Sequence, residues 1–156
     1  MQVHIQDIEY PTDFNEYSIW GKINIQIDNI YYPDNEWYDA VSSILDMWTA
    51  ELVEYISTKK DECYLNFMDG PFYIKLTKMK DTDRVTVTCK NQDGAVFDTS
   101  ICCFELIQEI LTASYSFLDI CREKLPSFVN TTVFSKITAS CIILEDFRSN
   151  TGDGSE

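Results

Sequence analysis

The chain has 156 residues and a mass of 18.1 kDa, room for one domain with a substantial core. Hydrophobic residues make up 45% of it and aromatics 13%, which excludes an acidic disordered tail as its bulk. The formal net charge of −14 opposes contact with nucleic acid and anionic lipid, and it steers basic partners into encounter.

Residues 2–8 begin with Val3 and Ile5 alternating against His4 and Gln6, which predicts a short strand. Tyr10-Pro11-Thr12-Asp13 breaks it and opens a loop to about residue 17. From Ile19 to Asp28 the alternation is clean: Ile19, Ile23, Ile25 and Ile27 face one way, Lys22, Asn24, Gln26 and Asp28 the other. Such a strand has one solvated face. Pro33-Asp34 punctuates the chain, with Asp34 able to cap a helix. Trp37, Val41, Ile44, Leu45, Trp48, Leu52, Tyr55 and Ile56 then recur at spacings of three and four, predicting a helix over 35–57. Its opposite side reads Asp39, Ser43, Asp46, Ala50 and Glu54.

Strands come next in quick succession. Cys63, Leu65 and Phe67 alternate up to Asp69-Gly70, a dipeptide favoured in two-residue hairpin turns. Ile74 and Leu76 carry the return strand; Val85, Val87 and Cys89 carry another after Asp81-Thr82-Asp83. Asn91-Gln92-Asp93-Gly94 turns the chain into 95–97. A second long helix runs from near Ser100 to before Pro126, apolar around so much of its girth that it must touch both a sheet and another helix. Over 130–147 both periods fit: Val133, Ile137, Cys141, Leu144 and Phe147 make a helical stripe, while the β-branched content suits a strand. Length and the lack of turn signals place a helix there. The expected fold is therefore α+β: an antiparallel sheet of about five to six strands, two long helices and a third C-terminal helix. One globular domain spans 1–147, and 148–156 is expected to be a flexible tail.

The N-terminal residues have neither a basic segment nor an apolar run, so no secretory signal is expected. No stretch approaches the roughly 18 apolar residues of a membrane span. A cytoplasmic location is the corresponding expectation. The six cysteines include no Cys-x-x-Cys pair, and five fall in step with apolar neighbours. They read as small buried hydrophobes; the adjacent Cys102 and Cys103 are the place to look for oxidation.

Catalytic parts are scarce. His4 is the only histidine, so any Ser-His-Asp or Cys-His arrangement would depend on it. Cysteine–histidine zinc spacing is missing, and no phosphate-binding or dinucleotide glycine loop is present among five glycines. Asp81-Thr82-Asp83-Arg84 fails the calcium-loop pattern. Asp34, Glu36 and Asp39 cluster at a predicted helix start, where the helix dipole favours carboxylates without any catalytic role. The expectation is a protein that is not an enzyme and needs neither cofactor nor metal. A carboxylate-based enzyme would instead show a cleft with two buried acids of raised pKa.

What remains is surface recognition. Residues 1–58 hold eleven acids and a single base, Lys22, whereas 59–90 hold five acids and seven bases. Tyr10, Phe14, Tyr17, Tyr31, Tyr32 and Tyr38 are interleaved there with Glu9, Asp13, Glu16, Asp34, Glu36 and Asp39. Tyrosines offer rigid contact area, and carboxylates around them pair with Lys or Arg on a partner. The expected docking face comprises Glu9, Tyr10, Asp13, Glu16, Tyr31, Tyr32, Asp34, Glu36, Asp39 and Asp46. Reversing Asp39 and Asp46 to lysine is expected to slow association with a basic partner.

The early strand, the helix with Trp37, Ile44-Leu45 and Trp48, the hairpin segment YLNFMDGPFY at 64–73 and the helical second half together resemble small acidic immunity proteins. These accompany bacterial polymorphic and contact-dependent growth-inhibition toxins. The resemblance covers about 17–125 and is one of architecture, so it assigns no functional residue by position. It implies a cytoplasmic inhibitor that covers the active site of a cognate toxin, often a basic nuclease. The acidity of the chain is the ground for expecting no nucleic-acid or membrane partner. A non-catalytic adaptor or subunit of a larger complex is the alternative.

Overall fold

A computed structural model describes residues 1–11 and 19–152, the last two by backbone alone. The chain folds as α+β, with eight strands in two antiparallel sheets and three helices among the described residues. The single sheet of five to six strands is thus replaced by two sheets of four.

The first sheet is built on β2 (Trp20–Ile27), which pairs with β1 (Gln2–Gln6) on one side. On its other side β2 pairs with β3 (Ile30–Tyr32) through residues 25–27 and with β4 (Tyr38–Ala40) through residues 20–22. The isoleucines alternate as the pattern predicts, Ile23, Ile25 and Ile27 being buried and Trp20 exposed, but Asn24, expected on the solvated face, is buried and donates its amide to Asn35 O at 3.3 Å. Gly21 sits where β1, β2 and the following helix converge. A Cβ there would lie 3.0 Å from the Gln6 carbonyl oxygen and 3.2 Å from Ile8 Cα. A Cβ would be tighter here than in most packed backbones, so β1 would have to give by a few tenths of an ångström to admit one.

The second sheet has the order β5 (Glu62–Asn66), β6 (Tyr73–Lys78), β7 (Arg84–Asn91), β8 (Gly94–Cys102). Its tight two-residue turn is Gln92-Asp93, since Asn91 is the register partner of Gly94. Asn91 Oδ1 accepts a hydrogen bond from Asp93 N at 2.9 Å, and Gly94 has φ +121. The expected turn at Asp69-Gly70 is wider: Phe67 N donates to Phe72 O at 3.1 Å, closing a loop over the residues between them. Gly70 takes φ +70 in that loop, a conformation that disfavours a Cβ.

The three helices are α1 (Val41–Thr58), α2 (Cys103–Lys124) and α3 (Thr132–Gly152). α1 begins six residues later than its stripe suggested, because Tyr38, Asp39 and Ala40 are claimed by pairing to β2. β8 likewise extends to Cys102, its later residues held in register with β7 from Arg84 onward. The ambiguous 130–147 segment is helical from Thr132 onward, and this helix continues to Gly152, into the residues expected to be a tail. α3 packs on both α1 and α2, which gives α2 the second neighbour its broad apolar girth required.

Buried residues from both sheets and all three helices form one continuous hydrophobic cluster. Trp48, fully buried, donates its indole N–H to Asn66 O at 2.7 Å and meets Phe67 edge-on at 5.3 Å. Cys63, Cys89, Cys121 and Cys141 are buried free thiols, while Cys102 and Cys103 are half-buried. Burial pushes the first three up to about 12 and Cys141 up to about 11, as desolvation disfavours a thiolate.

Candidate functional site

The sequence-predicted face separates into four groups. Asp13 and Glu16 lie outside the described residues. Tyr32 and Asp39 are buried, at 1% and 0% exposure, so neither belongs to a docking surface. Glu9, Tyr10, Tyr31, Asp34 and Glu36 are exposed around the first sheet. Asp46 lies apart, on α1, lining a groove of about 500 Å³ with Glu51, Glu54, Tyr64 and, from α3, Ile143.

The two buried residues fasten the sheets together. Asp39 is the register partner of Gly21 and shares the inner face of the first sheet. One carboxylate oxygen accepts from Ala40 N at 2.7 Å. The other accepts from Trp37 Nε1 at 3.2 Å, Met68 N at 3.0 Å and Asp69 N at 3.1 Å. A buried carboxylate needs such donors to persist. Two of these come from the β5–β6 loop, so Asp39 ties that loop to β4. The Tyr32 hydroxyl likewise accepts from Tyr73 N at 3.1 Å and donates toward the carbonyls of Tyr73 and Lys90. Desolvation is the main cause raising this phenol to about 12. An Asp39→Lys change would therefore perturb folding rather than probe association.

The exposed group centres on aromatic residues that the expected face did not include. Trp20 and Tyr38 stack on the outer side of the first sheet, centroids 6.0 Å apart at 18°. They are 37% exposed each, and Tyr31 is 40% exposed on β3. Desolvation, followed by a hydrogen bond to Glu9, raises the Tyr38 phenol to about 12. Lys22, the register partner of Tyr38, reaches Glu36 at 2.5 Å and Asp7 at 2.9 Å. These carboxylates, Glu36 foremost, raise the lysine's pKa. The lone base thus neutralises part of the local acidity. Glu9, Asp28 and Asp34 stay exposed, without a salt bridge among the described residues. A sequence signal for this surface exists: Trp20 falls in the solvated phase of β2, beside Lys22 and Gln26, where a tryptophan has no core to fill.

His4 also faces outward, its Nε2 lying 3.0 Å from Gln26 Oε1 and its ring 6.0 Å from that of Tyr31. Among the described residues, no group of three His, Cys, Asp or Glu side chains is arranged to hold a metal ion. Asp39 is the one fully buried acid there. No helix among them is long and apolar enough to cross a membrane. Comparison with known protein families, with characterised proteins and with solved structures finds no match.

Proposed function

We propose that this protein acts by binding another protein, as a cytoplasmic immunity-type inhibitor of a toxin domain with a basic surface. The observation that carries the reading is the exposed Trp20–Tyr38 stack, with Tyr31 on the same sheet face and Glu9, Asp34 and Glu36 around it. Rigid aromatics anchor interfaces, and surrounding carboxylates select a cationic partner and speed its encounter. A non-catalytic role is supported by Asp39, whose two oxygens are already occupied by N–H donors from its own chain. It thus lacks the free, paired geometry of an acid–base dyad.

The test first asks whether a neighbouring gene encodes a toxin domain and, where one does, pairs the protein with that domain. Binding kinetics are followed over a salt series for the native chain and for Trp20→Ala and Glu9→Lys/Asp34→Lys. Trp20→Ala should raise the dissociation rate by tenfold or more, as hot-spot truncations of about 2 kcal/mol do. The charge reversals should slow association and flatten its salt dependence. Unchanged kinetics in both variants would remove this surface as the interface. Protection from a neighbouring toxin failing altogether, while a complex with a housekeeping protein forms, would favour the adaptor role.

A further inference from the structure

Seven of the twelve bases lie within residues 59–90 of an otherwise acidic chain. Four of them, Lys59, Lys60, Lys78 and Arg84, line one cleft of about 340 Å³ where the end of α1, the β6–β7 turn and the start of α2 meet. Among the described residues of its lining the only acid is Asp83, so their formal charge is +3, or about +2 once the pairing of Lys60 with Glu54 is counted. Its floor is apolar: Ile56, Val85, Phe104 and Phe147, the two phenylalanine rings 6.0 Å apart and joining α2 to α3.

The helix dipole accounts for Lys59 and Lys60, which follow the C-terminus of α1, and Lys60 is already paired with Glu54. It does not account for the two bases on the hairpin. Arg84 is held in place by Ser100, its Nε donating to Oγ at 2.8 Å and its terminal nitrogen to the carbonyl at 2.5 Å. Lys59 and Lys78 have no salt bridge among the described residues. The N-terminus of α2 and the C-terminus of α1 bring opposite partial charges to the same place, so the side chains set its sign.

We propose that this cleft binds a small amphipathic anion, its charged head between Lys59 and Lys78 and its acyl or aryl body against Ile56, Phe104 and Phe147. Apolar walls with a few convergent charges are the usual make-up of a small-molecule site, and the volume is at the lower end of that range. A protein partner would need about 800 Å² of contiguous surface, and the cations here do not extend over one. The site is separate from the outer face of the first sheet and does not depend on the docking role.

Decanoate, below its micellar concentration, is the probe for the full-length protein, read by calorimetry and by amide shifts in nuclear magnetic resonance. One saturable site is expected, with shifts at Val85, Phe104 and Phe147 and an affinity that falls as sodium chloride rises. Lys59→Gln/Lys78→Gln should weaken it about tenfold, each lost contact being a modest, partly solvated ion pair, while the melting temperature falls by no more than about 4 °C, the share due to losing the Lys59 charge at the end of α1. Decyltrimethylammonium, with the same tail and the opposite charge, should leave these amides unmoved. Absence of saturable decanoate binding, full affinity in the double variant, equal binding of the cation, or shifts mapping elsewhere would each overturn the proposal.

Discussion

Removing the Asp39 carboxylate should unfasten the two sheets. In Asp39→Ala four N–H donors lose their acceptor. They do not suffer equally. Met68 and Asp69 are exposed residues and Trp37 is half-buried, so water can reach those groups; Ala40 is buried and its N–H is stranded. A stranded buried donor costs about 1–3 kcal/mol, and each charge-assisted bond replaced by water forfeits a fraction of its roughly 1.5–3 kcal/mol. The variant no longer has to desolvate a carboxylate, which offsets part of this. The net loss should be about 3 kcal/mol, a large share of the roughly 5–15 kcal/mol that holds a domain folded. With a urea slope of about 1.5–2 kcal/mol/M, the midpoint should fall by about 1.5–2 M. Asp39→Asn should lose about 2 kcal/mol, because its amide must set an N–H₂ against at least one N–H donor. Asp34→Ala is the control: exposed, with one local bond to Glu36 N at 2.8 Å, it should cost no more than about 0.5 kcal/mol. A native midpoint in Asp39→Ala, or equal damage from Asp34→Ala, would refute the role given to this carboxylate.

Tyr32→Phe should cost about 1–2 kcal/mol in the same urea titration, since the Tyr73 N–H loses its acceptor and the Lys90 carbonyl its donor. Gly21→Ala should lower the melting temperature by several degrees, for a cost of about 1–3 kcal/mol, because the Gln6 carbonyl facing the new Cβ is fixed by strand pairing; a neutral result would show that β1 yields. The buried thiols predict loss of stability in alkali. Unfolded cysteines ionise near 9.0, whereas folded Cys63, Cys89 and Cys121 are held up to about 12 and Cys141 to about 11. Their protonated form is therefore favoured by folding, so this contribution is complete below pH 9 and declines as pH rises towards 11–12. Urea midpoints measured from pH 8 to 11 should fall, and a thiol reagent at pH 8 should label Cys102 well before these four.

Local pattern was a good guide wherever one face of an element decides its burial. The isoleucines of β2, the Val41-to-Ile56 stripe of α1 and the return strands of the second sheet all lie as their spacing requires. The errors share a cause, which is pairing between residues distant in sequence. Tyr38-Asp39-Ala40 reads as the first turn of a helix until β2 claims it. Ser100 reads as the start of a helix until β7 extends β8 past it. Nothing in the order of strands divides them into two sheets; that depends on which edges meet. For the candidate site, the composition of the first third pointed to its acidic loops, and Glu9, Tyr31, Asp34 and Glu36 are exposed around the first sheet. Local pattern leaves Asp39 on the outside, because its inward direction is set by its register opposite Gly21, and Trp20 is legible only from its phase along β2.

The ties between the sheets also bear on the order in which the chain organises itself. Asp39 reaches partners 29 and 30 residues away, and Tyr32 reaches partners 41 and 58 residues away. Contacts of such separation carry a high loop-closure cost, so they are expected to form after each sheet's own hairpins. Asp39→Asn should then leave the refolding limb of a chevron almost unmoved and accelerate unfolding instead, and a slowed refolding limb would place the clasp in the nucleus. A clasp that closes last is also the first to open, which makes the β5–β6 loop the point from which the native state begins to come apart.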